Sequence, residues 1–263
     1  MTRRIATSDD HVLRLDSGWH MAVTAADAVA DLSGLSRITD WIAAPVPGTV
    51  AGALADAGRF SAESPYPLHD KDAWYVTKVD VAEPGERQLV LEGLATIAEV
   101  YWNGGKVLDC DSMYQRHEVP VAAKAENTLA ICFRALAPHL EGKGPRARWK
   151  TKLAISPGLR LKRTTLLGHM PGWCPEVHAV GPWRPVSLVR PDGFGLVVER
   201  LKATLDEDGN GFLTVLFRVE TQKGTPVLSC AGVVAKAERR ADGGWAAELR
   251  IAGVAPWWPH THG

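Results

Sequence analysis

Ala98-Glu-Val-Tyr-Trp-Asn-Gly-Gly-Lys-Val-Leu108 decides the fold class of this chain. Apolar and polar residues alternate up to Trp102, then Asn103-Gly104 interrupts them. Asn-Gly between two alternating runs is the strongest short-range signal of a two-residue β-hairpin, because both central positions of its turn need positive φ. The same period of two runs outward in both directions. Upstream, Trp74-Tyr-Val-Thr-Lys-Val-Asp80 and Gln88-Leu-Val-Leu-Glu92 flank a turn at Glu83-Pro-Gly-Glu86. Downstream lie Tyr114–Val121 and Asn127–Arg134. Many short strands, Pro/Gly turns and few helices predict an all-β chain built on an antiparallel sandwich or jelly roll.

Toward the N-terminus, Val12, Leu13 and Leu15 before Trp19 predict a short strand, and 26–39 reads as a weak helix or a loop. Two prolines make 41–48 extended. Thr49 is placed to cap a short helix with Val50, Ala53, Leu54 and Ala57 on one face and Gly58 as its stop. Ser61–Asp72 reads as a surface loop. Toward the C-terminus, 138–160 is an exposed basic excursion, followed by a strand over Leu159–Thr165. Leu166–Arg190 begins as an irregular loop, which Gly168, Pro171, Gly172, Pro175 and Gly181 keep from being helical, and ends in a strand from Val186 to Val189. A boundary falls near Pro191–Gly195. We therefore divide the chain into a jelly roll over 1–191 and a second β unit over 192–263, with strands at 196–205, 211–220, 226–237 and 245–251. Those are about four strands where an immunoglobulin-like sandwich has about seven, so the second unit reads as C-terminally incomplete.

Composition bounds the function. The chain has 263 residues and zero formal net charge, with 30 basic and 30 acidic residues. That argues against a nucleic-acid partner and leaves the basic stretch Lys143–Lys152, with Trp149 inside it, as a solvated loop. No apolar run reaches the ~18 residues of a membrane span. The N-terminus shows no apolar core of a signal peptide, so the reading is cytoplasmic. Cys110, Cys132, Cys174 and Cys230 are scattered as free thiols would be. Trp is the outlier, at 10 residues. Its flat apolar face both fills sandwich cores and stacks on sugars.

Six motifs in order then carry a resemblance: Val46-Pro-Gly-Thr-Val, Asp72-Ala-Trp-Tyr, Leu91-Glu-Gly-Leu with Ala98–Gly104, Glu126-Asn-Thr-Leu-Ala-Ile131, Gly181-Pro-Trp-Arg-Pro-Val, and Pro256-Trp-Trp-Pro. Their order resembles the N-terminal part of glycoside hydrolase family 2, in its β-mannosidase branch. The resemblance implies a galactose-binding-like jelly roll, then an immunoglobulin-like domain, then a catalytic (β/α)8 barrel holding both carboxylates of a retaining mechanism. This chain would end before that barrel, so no catalytic residue is nominated here, and no cofactor or metal is implied. The expected partners are a terminal β-linked sugar and the barrel of the complete protein. In β-mannosidases the loop before the Gly-x-Trp strand reads Trp-Asp-Trp-Gly-Pro and reaches the sugar. The aligned residues here are Pro171-Gly172-Trp173-Cys174-Pro175, with Gly172 where the family has its Asp.

The candidate substrate-binding residues are accordingly Trp173 as the apolar plane, Gly172 and Pro171 beside it, and His169 and His178 as hydrogen-bond partners. The alternative for Trp173 is a plug that packs the loop onto the sandwich. Trp183 reads as core. Of Trp257 and Trp258, adjacent and thus facing opposite ways, one belongs to the second core. Asp70 and Asp72 read as turn residues rather than a catalytic pair. His260 and His262 share a face but lack a third ligand, and read as a frayed terminus. Two rival functions stand beside the glycosidase portion: a stand-alone carbohydrate-binding module, and an interaction protein whose jelly roll meets no sugar.

Overall fold

The structure is a computed structural model that describes residues 3–6, 12–142, 144–145, 152–190, 195–219, 224–259 and 261. Its strands in chain order are β1 (Arg3–Ala6), β2 (Val12–Arg14), β3 (His20–Ala25), β4 (Ile42–Ala43), β5 (Lys71–Asp80), β6 (Gly85–Leu91), β7 (Ala98–Trp102), β8 (Gly105–Cys110), β9 (His117–Ala123), β10 (Glu126–Phe133), β11 (Val186–Val189), β12 (Gly195–Leu205), β13 (Gly211–Val219), β14 (Val227–Cys230), β15 (Val233–Lys236), β16 (Glu238–Arg239) and β17 (Trp245–Ile251). The helix α1 spans Val50–Asp56, and Thr49 caps it by accepting a hydrogen bond from the Gly52 N–H. No helix among the described residues is long and apolar enough to cross a membrane.

The chain divides into two compact units, one of residues 13–191 and one of 1–12 with 192–263. In the first, a six-stranded sheet β4-β3-β5-β10-β7-β8 and a four-stranded sheet β2-β11-β6-β9 make the sandwich. The hairpin that decided the reading is present: Asn103 and Gly104 take φ of 49° and 92° between β7 and β8. Alternation sends one face of each strand inward. Met21, Tyr75, Leu129, Ile131 and Phe133 of the large sheet meet Leu89, Leu91, Val121, Val186 and Leu188 of the small one in a single core. Trp19 joins it with its indole N–H on the Leu15 carbonyl at 2.8 Å, and Tyr75 packs edge-on against both Trp19 and Phe133.

The outer face of the large sheet carries a second, smaller cluster. Residues 26–41, which turn out to hold a 3-10 helix over Leu32–Arg37, lay Val29, Leu32, Leu35, Ile38 and Trp41 on Trp74, Tyr101 and Cys132. Asp72 departs from its sequence reading. It lies in β5, not in a surface loop, and is 1% exposed. Its Oδ2 accepts from Arg134 Nη1 at 2.9 Å and from the Asp27 N–H at 3.0 Å. Arg134 also donates to the carbonyls of Val29 and Ala30 and to Glu99. This ion network clamps the 26–41 segment to the sheet.

Two further expectations give way. Leu159–Thr165 is not a strand, because a 3-10 helix occupies Pro157–Leu161. In the second unit the run 226–237 is not one strand but the hairpin β14–β15, turned at Ala231-Gly232 with φ of 49° and 80°. That unit is a five-stranded antiparallel sheet, β1-β12-β13-β17-β16, and the separate β14–β15 pair. Its sheet begins with β1, whereas the sequence reading placed residues 1–11 with the jelly roll. Val215, Phe217, Trp245 and Ala247 form its core. Trp257 and Trp258 are both exposed, at 83% and 65%, so neither is in that core. Lys143, Arg146, Arg148, Trp149, Lys150, His260 and His262 lie outside the described residues.

Candidate functional site

The loop before β11 is built to hold one shape. Met170-Pro171-Gly172-Trp173 closes a turn in which the Trp173 N–H reaches the Met170 carbonyl at 3.1 Å. Proline at the second position and Gly172 at φ +85° fit a type II turn, whose third position requires positive φ. The Cys174 N–H shares the Met170 carbonyl at 3.2 Å, and Cys174 Sγ accepts from the Gly168 N–H. The loop pinches at its base. A Cβ on Gly168 would come within 2.5 Å of the Val177 carbonyl oxygen, and φ there is +83°. Only glycine lets the two arms approach so closely.

Beyond the pinch, the chain is sewn to the sandwich. The Val180 carbonyl accepts from the Val50 N–H at 2.8 Å, and the Pro182 carbonyl from the Gly48 N–H at 3.0 Å. Gly181 and Ala95 exchange two backbone hydrogen bonds. Trp183 is half-buried, with its indole N–H on the Met113 carbonyl at 2.8 Å, its edge toward Tyr114, and the Arg184 guanidinium 4.4 Å above its ring. It closes the loop's exit and is structural. The Gly-Pro-Trp-Arg motif is therefore an anchor, joined to Val46-Pro-Gly-Thr-Val by these bonds.

The five residues named from sequence separate into two groups. Trp173 stands 75% exposed, with Pro171 and Gly172 exposed beside it. It is not a plug on the sandwich. Leu153, Ile155, Leu166 and Leu167 are each about half exposed, and Ile155 is tied to the loop by its N–H on the His169 carbonyl at 3.1 Å. The loop and the segment tied to it thus expose several large apolar side chains, a bare indole among them. His169 and His178 are instead buried, at 4% exposure each. They pack with His69, a residue the sequence reading passed over, at ring-centroid separations of 4.0 Å for His69–His178, 4.7 Å for His169–His178 and 5.4 Å for His69–His169. Burial pushes His169 and His178 down to about 4, with the neighbouring imidazoles adding to it. It also lowers His69, against the pull of Asp70 and Glu176. At neutral pH these rings are uncharged packing groups. Among the described residues no group of His, Cys, Asp or Glu is arranged to hold a metal ion.

The family model described as the glycosyl hydrolase 2 galactose-binding domain-like domain matches residues 19–184. No curated protein matches the chain. Among solved structures, the beta-D-mannosidase of Dictyoglomus thermophilum is similar over 95% of this chain at 19% identity, with a TM-score of 0.66. A beta-glucuronidase of Bifidobacterium dentium, complexed with coumarin-3-O-glucuronide, covers 96% at 17% identity and 0.54. Beta-glucuronidase 3 of Bacteroides uniformis covers 95% at 15% identity and 0.55. The chain spans 32%, 44% and 32% of those three proteins. At such identities the likeness is one of fold.

Proposed function

The chain belongs to the glycosyl hydrolase 2 galactose-binding domain-like family, and from that premise we propose that it is the non-catalytic N-terminal part of a glycosidase whose 166–180 loop meets the sugar. The observation that carries this reading is Trp173. An indole 75% exposed on a turn preset by Pro171 and Gly172 is a poor core residue and a good apolar plane for a sugar face. A loop already in its bound shape also loses little entropy on binding. The substrate would be a terminal β-linked sugar, hydrolysed by paired carboxylates on a barrel domain. The motif order favours a β-mannosidase-like enzyme. Gly172 cannot make the carboxylate–hydroxyl contact of that branch, so hydroxyl discrimination at this position would be relaxed. His169 and His178, being buried, would support the loop instead of touching the sugar. We read the second unit as part of an immunoglobulin-like sandwich, and the free cysteines as those of a cytoplasmic protein.

The test is Trp173→Ala in the complete enzyme. A well-placed apolar contact accounts for ~1–3 kcal/mol, so kcat/KM for the β-glycoside should fall by about 5- to 150-fold. Folding should be unaffected, because the side chain is mostly in water. Unchanged kinetics with folding intact would remove the loop from substrate recognition.

A further inference from the structure

The three imidazoles have no part in the sugar reading beyond support, yet their arrangement carries a consequence of its own. They come from three segments: His69 just before β5, His169 on the ascending arm of the loop, and His178 on its descending arm. Each residue accepts a backbone N–H hydrogen bond from another segment. The Ala137 N–H donates to the His69 carbonyl at 2.8 Å, and the Ile155 N–H to the His169 carbonyl. His178 Nδ1 accepts from the Leu68 N–H at 3.5 Å. His69 Nδ1 is buried with no hydrogen-bond partner.

We propose that His69, His169 and His178 form an acid-sensitive latch, holding the 166–180 loop on the sandwich while neutral and releasing it when they take up protons. Three features of the geometry require this direction. Ring centroids 4.0–5.4 Å apart leave no room for a hydration shell between two imidazolium charges. Protonation at His178 Nδ1 turns an acceptor into a donor facing the Leu68 N–H, so that tie is lost. The carboxylates acting on the cluster are Asp70, next to His69, and Glu176, on the loop itself. Both are exposed, and two solvated carboxylates cannot neutralise three closely packed cations, two of them buried.

The sign follows from linkage. An imidazole on a released loop titrates near its ordinary 6.5, while His169 and His178 in place are held down to about 4. The released loop therefore binds protons first. The closed loop is fully stable above about pH 6.5 and loses stability as pH falls toward about 4, by up to ~10-fold per pH unit for each proton taken up. The latch operates whether or not Trp173 meets a sugar, so it stands or falls separately from the proposed function.

Hydrogen exchange measured by mass spectrometry on the 263-residue chain, corrected for intrinsic rates, tests it. Between about pH 7 and about pH 4.5, peptides covering 166–180 should lose protection by ~10-fold or more, while β5 and β10 keep theirs. His69→Phe removes one proton site and should move the opening to lower pH. Glu176→Gln removes a compensating charge and should move it to higher pH. Protection of 166–180 that is flat across this range, or lost together with β5 and β10, overturns the latch. Should His69→Phe not fold, Glu176→Gln, a change at an exposed residue, decides alone: an opening profile that does not move overturns it too.

Discussion

Asp72 holds a charge almost entirely out of water, and three donors meet it there. Oδ1 takes the Ala135 N–H at 2.8 Å, and Oδ2 takes Arg134 and the Asp27 N–H. Arg134, its side chain 13% exposed, spends its remaining donors on Glu99 and on the Val29 and Ala30 carbonyls. Its guanidinium lies 5.6 Å from the Trp74 ring centroid. A pair of this kind contributes little net stability, since desolvation offsets attraction, but removing one partner leaves the other buried and uncompensated. Asp72→Ala should therefore destabilise the sandwich by ~3–5 kcal/mol, measured as a lower urea midpoint at unchanged slope. A loss under about 1 kcal/mol would mean the network is solvated and the 26–41 segment is held by its apolar contacts alone. The sequence reading put Asp72 in a loop because Pro65, Pro67, His69 and Asp70 precede it, and a carboxylate's partners do not show in a single sequence. Trp173 is a mixed case. Pro171 and Gly172 make a non-helical turn legible by local chemistry, but sequence leaves open whether the indole packs as a plug, and its 75% exposure decides that.

Among elements, the β7–β8 hairpin of the large sheet and the β9–β10 turn, which crosses from the small sheet to the large one, are locked to one another by a pair of asparagines. Asn127 is 4% exposed. Its Oδ1 accepts from the Lys124 N–H at 2.8 Å and from Asn103 Nδ2 at 2.9 Å, and its Nδ2 donates to the carbonyls of Val79 and Lys124. Asn103 Oδ1 in turn accepts from the Thr128 N–H. One side chain thus ties the β9–β10 turn to the β7–β8 turn and to the end of β5. Asn127→Ala removes four hydrogen bonds at once, one of them to the buried Val79 carbonyl, and we expect a loss of about 2–3 kcal/mol in chemical denaturation. A loss no larger than that of a surface substitution would count against the lock. The strands themselves were readable because alternation is a local pattern with a burial consequence. Leu159–Thr165 was misread for the same reason. Leu159 and Leu161 alternate with Arg160 and Lys162, but Pro157 opens a 3-10 turn there, and Leu159 packs with Leu136 and Leu140 rather than into a sheet. The 26–41 segment and the three-histidine cluster were out of reach, since each is assembled by residues far apart in the chain and neither leaves a periodic trace.

Across the whole molecule the two units differ in how the chain enters them. The sandwich is continuous: its core residues run from Leu15 to Leu188 without a contribution from outside. Its small sheet starts at Val12, so a fragment of residues 12–191 keeps every strand of both sheets. Side chains such as Trp19, Tyr75, Leu89, Ile131 and Phe133 are fully buried within it, each stabilising by ~1.5–3 kcal/mol. That fragment should fold by itself, with a strand-dominated far-UV spectrum and a single cooperative unfolding transition. The second unit is discontinuous. Arg3–Ala6 pairs with Gly195–Val198, so a fragment of 192–263 presents that part of β12 as an open edge. The edge carries unpaired backbone N–H and C=O groups, which recruit other strands. We expect this fragment to self-associate on a sizing column with light scattering, and to become more monomeric when a peptide of residues 1–11 is supplied. A monomeric, cooperatively folded 192–263 would show that β1 is dispensable, and a disordered 12–191 would show that the sandwich needs more than its own core.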